Sequence, residues 1–259
     1  MRSVYLLAAA LLVTSPIACR MPAQAEEFRV QTQVFAEDDT SAVSESLTLF
    51  RRGVVYDFLL TGPEQIAIFK TSAGESGGRF ILLDVDRRLR TELTTEDVLG
   101  FLTDLRSAAA IQDDPLLEFT SAPQFQEQFD TASGELVLAS DVLTYRVATQ
   151  PAKNAQVLAD YRGYCDWYAR LNAMTNVGSL PPFARLELNG ALARHGVVAK
   201  EVALKIPSRR GYQKQDLSLR AVHRIDWRLS KDDQDRINRI DQQLVTFKRV
   251  RYEQFHATP

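Results

Sequence analysis

Between residues 28 and 34, Phe28, Val30, Thr32 and Val34 alternate with Arg29, Gln31 and Gln33. A two-residue period of this kind predicts a strand with one buried face. SLTLF (46–50) and VVYDFLL (54–60) flank Arg51-Arg52-Gly53, which reads as a tight hairpin turn. QIAIF (65–69) follows the turn signal Gly62-Pro63, and RFILLDV (79–85) and LRTEL (89–93) come next. Short strands at intervals of roughly ten residues predict an antiparallel meander, because parallel neighbours need long crossovers between them.

The period lengthens after residue 93. Thr94 or Thr95 can cap a helix, Thr94 and Asp97 forming a capping-box pattern with Asp in place of Glu, and Val98, Phe101, Leu102 and Leu105 fall on one helical face. Strands are predicted over 125–130, 135–139 and 142–149, with Ser133-Gly134 as a turn. A long helix over 154–174 follows, with Val157, Tyr161, Tyr164, Tyr168 and Leu171 in its stripe and Leu158 and Cys165 widening it. Beyond Pro181-Pro182, residues 183–196 predict a helix closed by Gly196, and EVALKI (201–206) a strand. A polar loop (208–218) leads to a strand over 221–230 with Ala221, His223, Ile225, Trp227 and Leu229 on one side. Ser230 with Asp233 caps a last helix, which buries Ile237, Ile240, Leu244 and Phe247. Asp232 and Asp233 suit the positive end of its dipole. No internal repeat or low-complexity linker divides the chain, so residues 26–259 are expected to form one α+β domain.

The N-terminus has a different character. Arg2 precedes an apolar run from Val4 to Val13, and Ala23-Gln24-Ala25 supplies the small residues of a secretory cleavage site. The run is shorter than the roughly 20 residues of a membrane-spanning helix. Residues 1–25 are therefore expected to be a signal peptide, and the mature chain to be periplasmic or extracellular. Ile17-Ala18-Cys19 also resembles a lipoprotein anchoring motif, though Pro16 and Arg20 depart from it, so anchoring at Cys19 is the alternative. Loss of residues 1–25 leaves 29 basic against 33 acidic residues, a formal charge of −4, and one cysteine, Cys165. This balance lacks the basic footprint of a nucleic-acid binder. No second apolar stretch approaches spanning length, so no transmembrane segment is expected.

Candidate chemistry is sparse. GESGG (74–78) matches the G-x-S-x-G pattern and resembles the GDSGG stretch of trypsin-like proteases. An elbow serine needs a helix after it, however, and RFILLDV reads as a strand; no histidine precedes Ser76 as the protease order requires. The stretch reads as a glycine-rich hairpin loop. Cys165 on an apolar stripe reads as core, with a reactive thiol paired to His195 or His223 as the other possibility. Asp84-x-Asp86 reads as a strand-end turn, His223 as a core histidine, and Asp166 with Arg170 as a surface pair four residues apart. Arg209, Arg210, Lys214 and Arg220, with Tyr212, form a basic loop that reads as a solvated hairpin, with contact to nucleic acid, anionic lipid or an acidic partner as the other possibility. No catalytic, metal or cofactor set is expected.

SLTLFRRGVVYDFLL, QIAIF and RFILLDVDRRLRTEL, behind an export signal, resemble in layout the lipoprotein-carrier proteins of the LolA/LolB/LppX type. The resemblance covers roughly residues 28–105 and rests on pattern rather than on a motif. It implies a curved antiparallel sheet, an incomplete barrel packed with several helices, whose hollow side holds acyl chains. The expected function is non-enzymatic binding of an apolar or amphiphilic ligand such as a lipid or lipoprotein acyl chains, with Phe58, Ile68 and Phe80 as candidate lining residues. The alternative is an exported interaction module with a filled core, and a hydrolase using Ser76 or Cys165 stands behind both.

Overall fold

The computed structural model describes residues 26–36, 39–71, 77–109, 114–176, 178–208 and 216–257. The first strands are β1 (Phe28–Ala36), β2 (Ser44–Arg51), β3 (Val54–Leu59), β4 (Gln65–Thr71), β5 (Gly78–Asp84) and β6 (Leu89–Thr94). Each pairs antiparallel with the next. The β2–β3 turn has Arg52 and Gly53 at φ 52° and 76°, the double left-handed geometry that matches strand twist in two-residue hairpins. Helix α1 (Thr95–Ala109) starts on the predicted cap: the Asp97 amide donates to Thr94 Oγ1 at 3.1 Å, and the Thr94 amide to Asp97 Oδ2 at 2.8 Å.

The chain continues through α2 (Pro115–Ser121), β7 (Gln126–Asp130), β8 (Glu135–Ala139), β9 (Thr144–Pro151), α3 (Ala155–Thr175) and α4 (Phe183–Arg194). It ends with β10 (Val197–Ile206), β11 (Leu217–Asp226), α5 (Lys231–Thr246), β12 (Lys248–Arg249) and α6 (Tyr252–His256). The twelve strands among the described residues form one sheet in the order β12-β6-β5-β4-β3-β2-β1-β11-β10-β9-β8-β7. Strand β1 joins its two halves, pairing with β2 on one side and β11 on the other. Among the described residues the sheet is unclosed, and its one parallel pairing is β12 on β6. The α+β class and the large antiparallel sheet stand as expected.

The strand register assigns residues to two covered faces. Phe50, Val55, Phe69 and Phe80 pack against Val157, Tyr164 and Leu171 of α3. The same face continues across β8–β10, where Leu136, Leu138 and Val202 meet Leu188 and Ala191 of α4. On the opposite face Leu49, Phe58, Ile68 and Leu83 lie beneath Ile237 and Ile240 of α5. Covering both faces explains why β5 runs buried from Phe80 to Asp84 instead of alternating.

Several boundaries differ from the sequence expectation. The strand expected over 221–230 is β11, which begins at Leu217 and ends at Asp226. Ala221, His223 and Ile225 share a face, but Leu229 packs on the α5 side, because the chain has already turned toward the Ser230 cap. Strand β10 starts four residues early, with a bulge between Ala199 and Glu201 that leaves Lys200 without a ladder partner. Helix α2 was not anticipated, although Asp114 accepts from the Leu116 amide at 2.8 Å and Pro115 opens the first turn. The C-terminal β12 and α6 were not anticipated either.

Candidate functional site

Helix α3 lies over β2–β4 and is capped by Asn154, whose Oδ1 accepts from the Val157 amide at 2.8 Å. Between helix and sheet a recess of about 170 Å³ remains. Phe50, Val55, Phe69, Tyr164 and Trp167 wall it, and Glu26, Arg51 and Asp160 line its charged part. The walls are mutually braced: Phe50 meets Tyr164 edge-on at 5.6 Å between centroids, and Phe69 lies 6.3 Å from Trp167. Gly163 also lines the recess, and a Cβ there would meet nothing within 4 Å. A glycine inside a 21-residue helix costs up to about 1 kcal/mol relative to alanine. Gly163→Ala is therefore expected to stabilise the protein by about 0.5–1 kcal/mol in urea denaturation; a loss of stability would show that a side chain is not tolerated there.

Next to the recess a polar row runs under α3. The register sets Thr48 opposite Asp57, and Thr48 Oγ1 donates to Asp57 Oδ1 at 2.6 Å. Burial pushes the Asp57 carboxyl up to about 6, against hydrogen bonding from Thr48, Tyr168 and Tyr164. The buried Tyr164 Oη lies beside this carboxylate without closing a full hydrogen bond. The Tyr168 phenol is held well above its ordinary range by the Asp57 charge first and by burial second, while the residue as a whole is 37% exposed. Tyr168 thus links a buried carboxylate to the surface. Farther along, Thr32 Oγ1 and His223 Nδ1 are 3.0 Å apart, and His223 Nε2 is buried with no partner. Burial, and then the nearby Arg185 charge, pull His223 down to about 3, so it is neutral.

The residues singled out from sequence are dispersed. Phe58 and Ile68 face α5, whereas Phe80 faces α3. All three are at most 3% exposed, and none lines the recess. Burial pushes the Cys165 thiol up to about 11, away from nucleophilic thiolate, and the residue lines a small gap between α3 and α4. Asp166 pairs with Arg162 at 3.5 Å and accepts from Asn189 Nδ2 at 2.9 Å, while Arg170 lies over the Trp167 ring at 4.9 Å. The anticipated Asp166–Arg170 pair is thus replaced, because Arg162 sits one turn earlier on the same side of the helix. Asp84 accepts from the Arg87 amide at 2.8 Å and holds the Arg87 guanidinium at 2.7 Å, in a strand-end turn. His195 stacks on Phe129 at 4.1 Å and meets Glu127 Oε1 at 2.8 Å. Arg220 reaches over the Phe35 ring at 4.4 Å.

Ser76, Cys19, the expected signal peptide and Arg209, Arg210, Tyr212 and Lys214 lie outside the described residues. The strands flanking Ser76, β4 and β5, pair antiparallel with each other.

Asp57, Asp160, Gly163 and Trp167 were not selected from sequence. Two carried a signal: Asp57 interrupts the apolar strand VVYDFLL, and Gly163 interrupts the longest helix. Among the described residues no helix is long and apolar enough to cross a membrane. Neither a protein-family model nor a curated protein sequence matches the chain.

Proposed function

We propose that this protein is an exported, non-enzymatic binder of an amphiphilic ligand, carried on a curved sheet of the LolA-like kind. The observation that supports the reading is the recess between α3 and β2–β4, whose aromatic walls end at Glu26, Arg51 and Asp160. An apolar pocket bordered by a few charged groups suits a molecule with one apolar and one polar end. At about 170 Å³ the recess is smaller than the roughly 300–1,000 Å³ typical of pockets for drug-sized ligands. It accommodates a headgroup or a chain end, and a full acyl chain requires α3 to move off the sheet. The polar row of Thr48 and Asp57 under α3 favours such movement over a purely apolar seal, since its partners can be exchanged for water.

A second reading, an interaction module, is favoured by a different surface. An open groove of about 740 Å³ runs between β6 and the C-terminal segment, bordered by Glu92, Asp97, Arg249 and Tyr252. Beyond Arg90 the outer edge of β6 has no ladder partner among the described residues, and exposed strand edges recruit other chains. Native mass spectrometry of protein purified from an envelope fraction, followed by organic extraction, separates the readings. A lipid-sized adduct released on extraction is expected. A clean mass that stays clean after incubation with lipid micelles would refute the binding reading and leave the β6 groove.

A further inference from the structure

We infer that the recess under α3 is a site for an organic ammonium group, a quaternary or alkylated amine, held by the rings of Phe50, Phe69, Tyr164 and Trp167 and by the carboxylate of Asp160. The inference deepens the proposed function by naming the polar end of the ligand.

Four aromatic side chains border one small recess; Phe50 is stacked on Phe28 at 4.0 Å, and the ring surface left open to the recess attracts cations and sheds water. One ring already serves this way, since Arg170 lies 4.9 Å over Trp167 without lining the recess. The acidic partner is Asp160. Its carboxylate accepts from Gln156 Nε2 at 2.8 Å, and among the described residues no base stands within ion-pair distance of it. Burial first, and then the charge of Glu26, another acid, holds the Asp160 carboxyl above its ordinary range. Of the remaining charges at the rim, Glu26 is held by Lys153 at 2.7 Å, and Arg51 shares Glu27 with Arg52, at 3.8 and 3.6 Å. Asp160 is left as the half-buried anion without a cation, beside a box of rings. A quaternary ammonium satisfies it without needing hydrogen-bond acceptors that the walls lack. Gly163 provides the opening, because it adds no side chain to the helix surface above the rings.

The test titrates the purified chain with choline and with its neutral isostere 3,3-dimethylbutan-1-ol, read by tryptophan fluorescence and by ligand-observed NMR. Choline is expected to bind at least tenfold more tightly than the isostere. Asp160→Asn should cost choline about tenfold and leave the isostere unchanged. Gly163→Leu, which projects into open space, should abolish binding of both while the far-UV circular dichroism stays native. Equal affinity for the two probes, no saturable binding of choline, or an Asp160→Asn variant with unaltered preference would overturn the inference. Phosphatidylcholine and phosphatidylglycerol vesicles then separate the sources. Uptake of phosphatidylcholine alone identifies a lipid headgroup, and choline binding without lipid uptake identifies a free solute, which keeps the site and removes the carrier reading. Extraction of a lipid with no ammonium group from the native protein has the opposite consequence.

Discussion

Replacing His223 by glutamine is expected to relieve the protein of roughly 2–3 kcal/mol of acid destabilisation between about pH 6.5 and 4.5, and replacing Asp57 by asparagine to steepen that destabilisation by a similar amount. Both groups lie on the α3 side of the sheet, Asp57 buried and His223 half-buried with its Nε2 shut off from solvent, and they act with opposite signs. The folded state holds His223 at about 3, below its ordinary value, because burial and the Arg185 charge disfavour the imidazolium. The unfolded chain therefore binds the proton first, and stability contributed by neutral His223 is lost as pH falls below the ordinary histidine value. Asp57 is the converse. Its folded value of about 6 exceeds the ordinary 3.8, so the folded state binds the proton more tightly. Stability from this group is full below about pH 4 and is lost as pH rises through 6. A shift of about two units corresponds to roughly 3 kcal/mol.

Other acids contribute to the overall profile. Glu26, Glu127, Asp130 and Asp216 lie below their ordinary values and favour the folded state at neutral pH. They are common to all variants, so the difference from wild type isolates each buried group. Urea denaturation at about pH 4.5 and 7.5 reads the effect directly. If the His223→Gln and Asp57→Asn profiles run parallel to wild type, neither group is buried as described. The Asp57 result also bears on function, since protonation of Asp57 removes the buried charge beneath α3 and steadies the helix on the sheet at acid pH.

The sequence was informative where one face decides a residue's fate. The β1 to β6 meander follows from two-residue alternation and from turn chemistry at Arg52-Gly53 and Gly62-Pro63. The caps at Thr94 and Ser230 follow from side chains that complete the first amides of a helix. Facing was less accessible. RFILLDV is apolar on both sides because α3 and α5 cover both faces, so alternation could not assign Phe80 to one helix and Ile81 to the other. That is why Phe58, Ile68 and Phe80 were grouped although they point apart. The recess was illegible for a related reason. It is made by rings from two strands and one helix that approach only through tertiary packing, and its acid, Asp160, sits outside the apolar stripe of α3. The local oddities, a glycine in mid-helix and an aspartate in an apolar strand, mark positions where a strictly structural sequence would differ.

Arg29→Met is expected to destabilise the protein by about 3–5 kcal/mol, and Arg29→Met combined with Asp233→Asn to recover more than half of that loss. Arg29 alternates with Phe28 and Val30 and so points to the α5 side of β1. There its Nη1 lies 3.1 Å from both carboxylate oxygens of Asp233. The Asp233 side chain is only 2% exposed and also completes the helix cap, accepting from the Ser230 amide at 2.8 Å. Asp226, at 3.8 Å from Arg29 Nε, is too distant to substitute for that contact. Methionine fills the space of the arginine stem but leaves a carboxylate buried without its cation, the costly half of a broken buried pair. Asparagine at 233 removes the stranded charge and keeps an acceptor for the cap. Chemical denaturation gives both numbers, and a single variant within 1 kcal/mol of wild type, or a double variant no better than the single, would refute the argument. Because α5 covers the face opposite α3, the choline binding proposed for the recess should be the same in the single variant as in wild type under conditions where it remains folded. A change under α5 is thus expected to act on unfolding and to leave the recess under α3 intact.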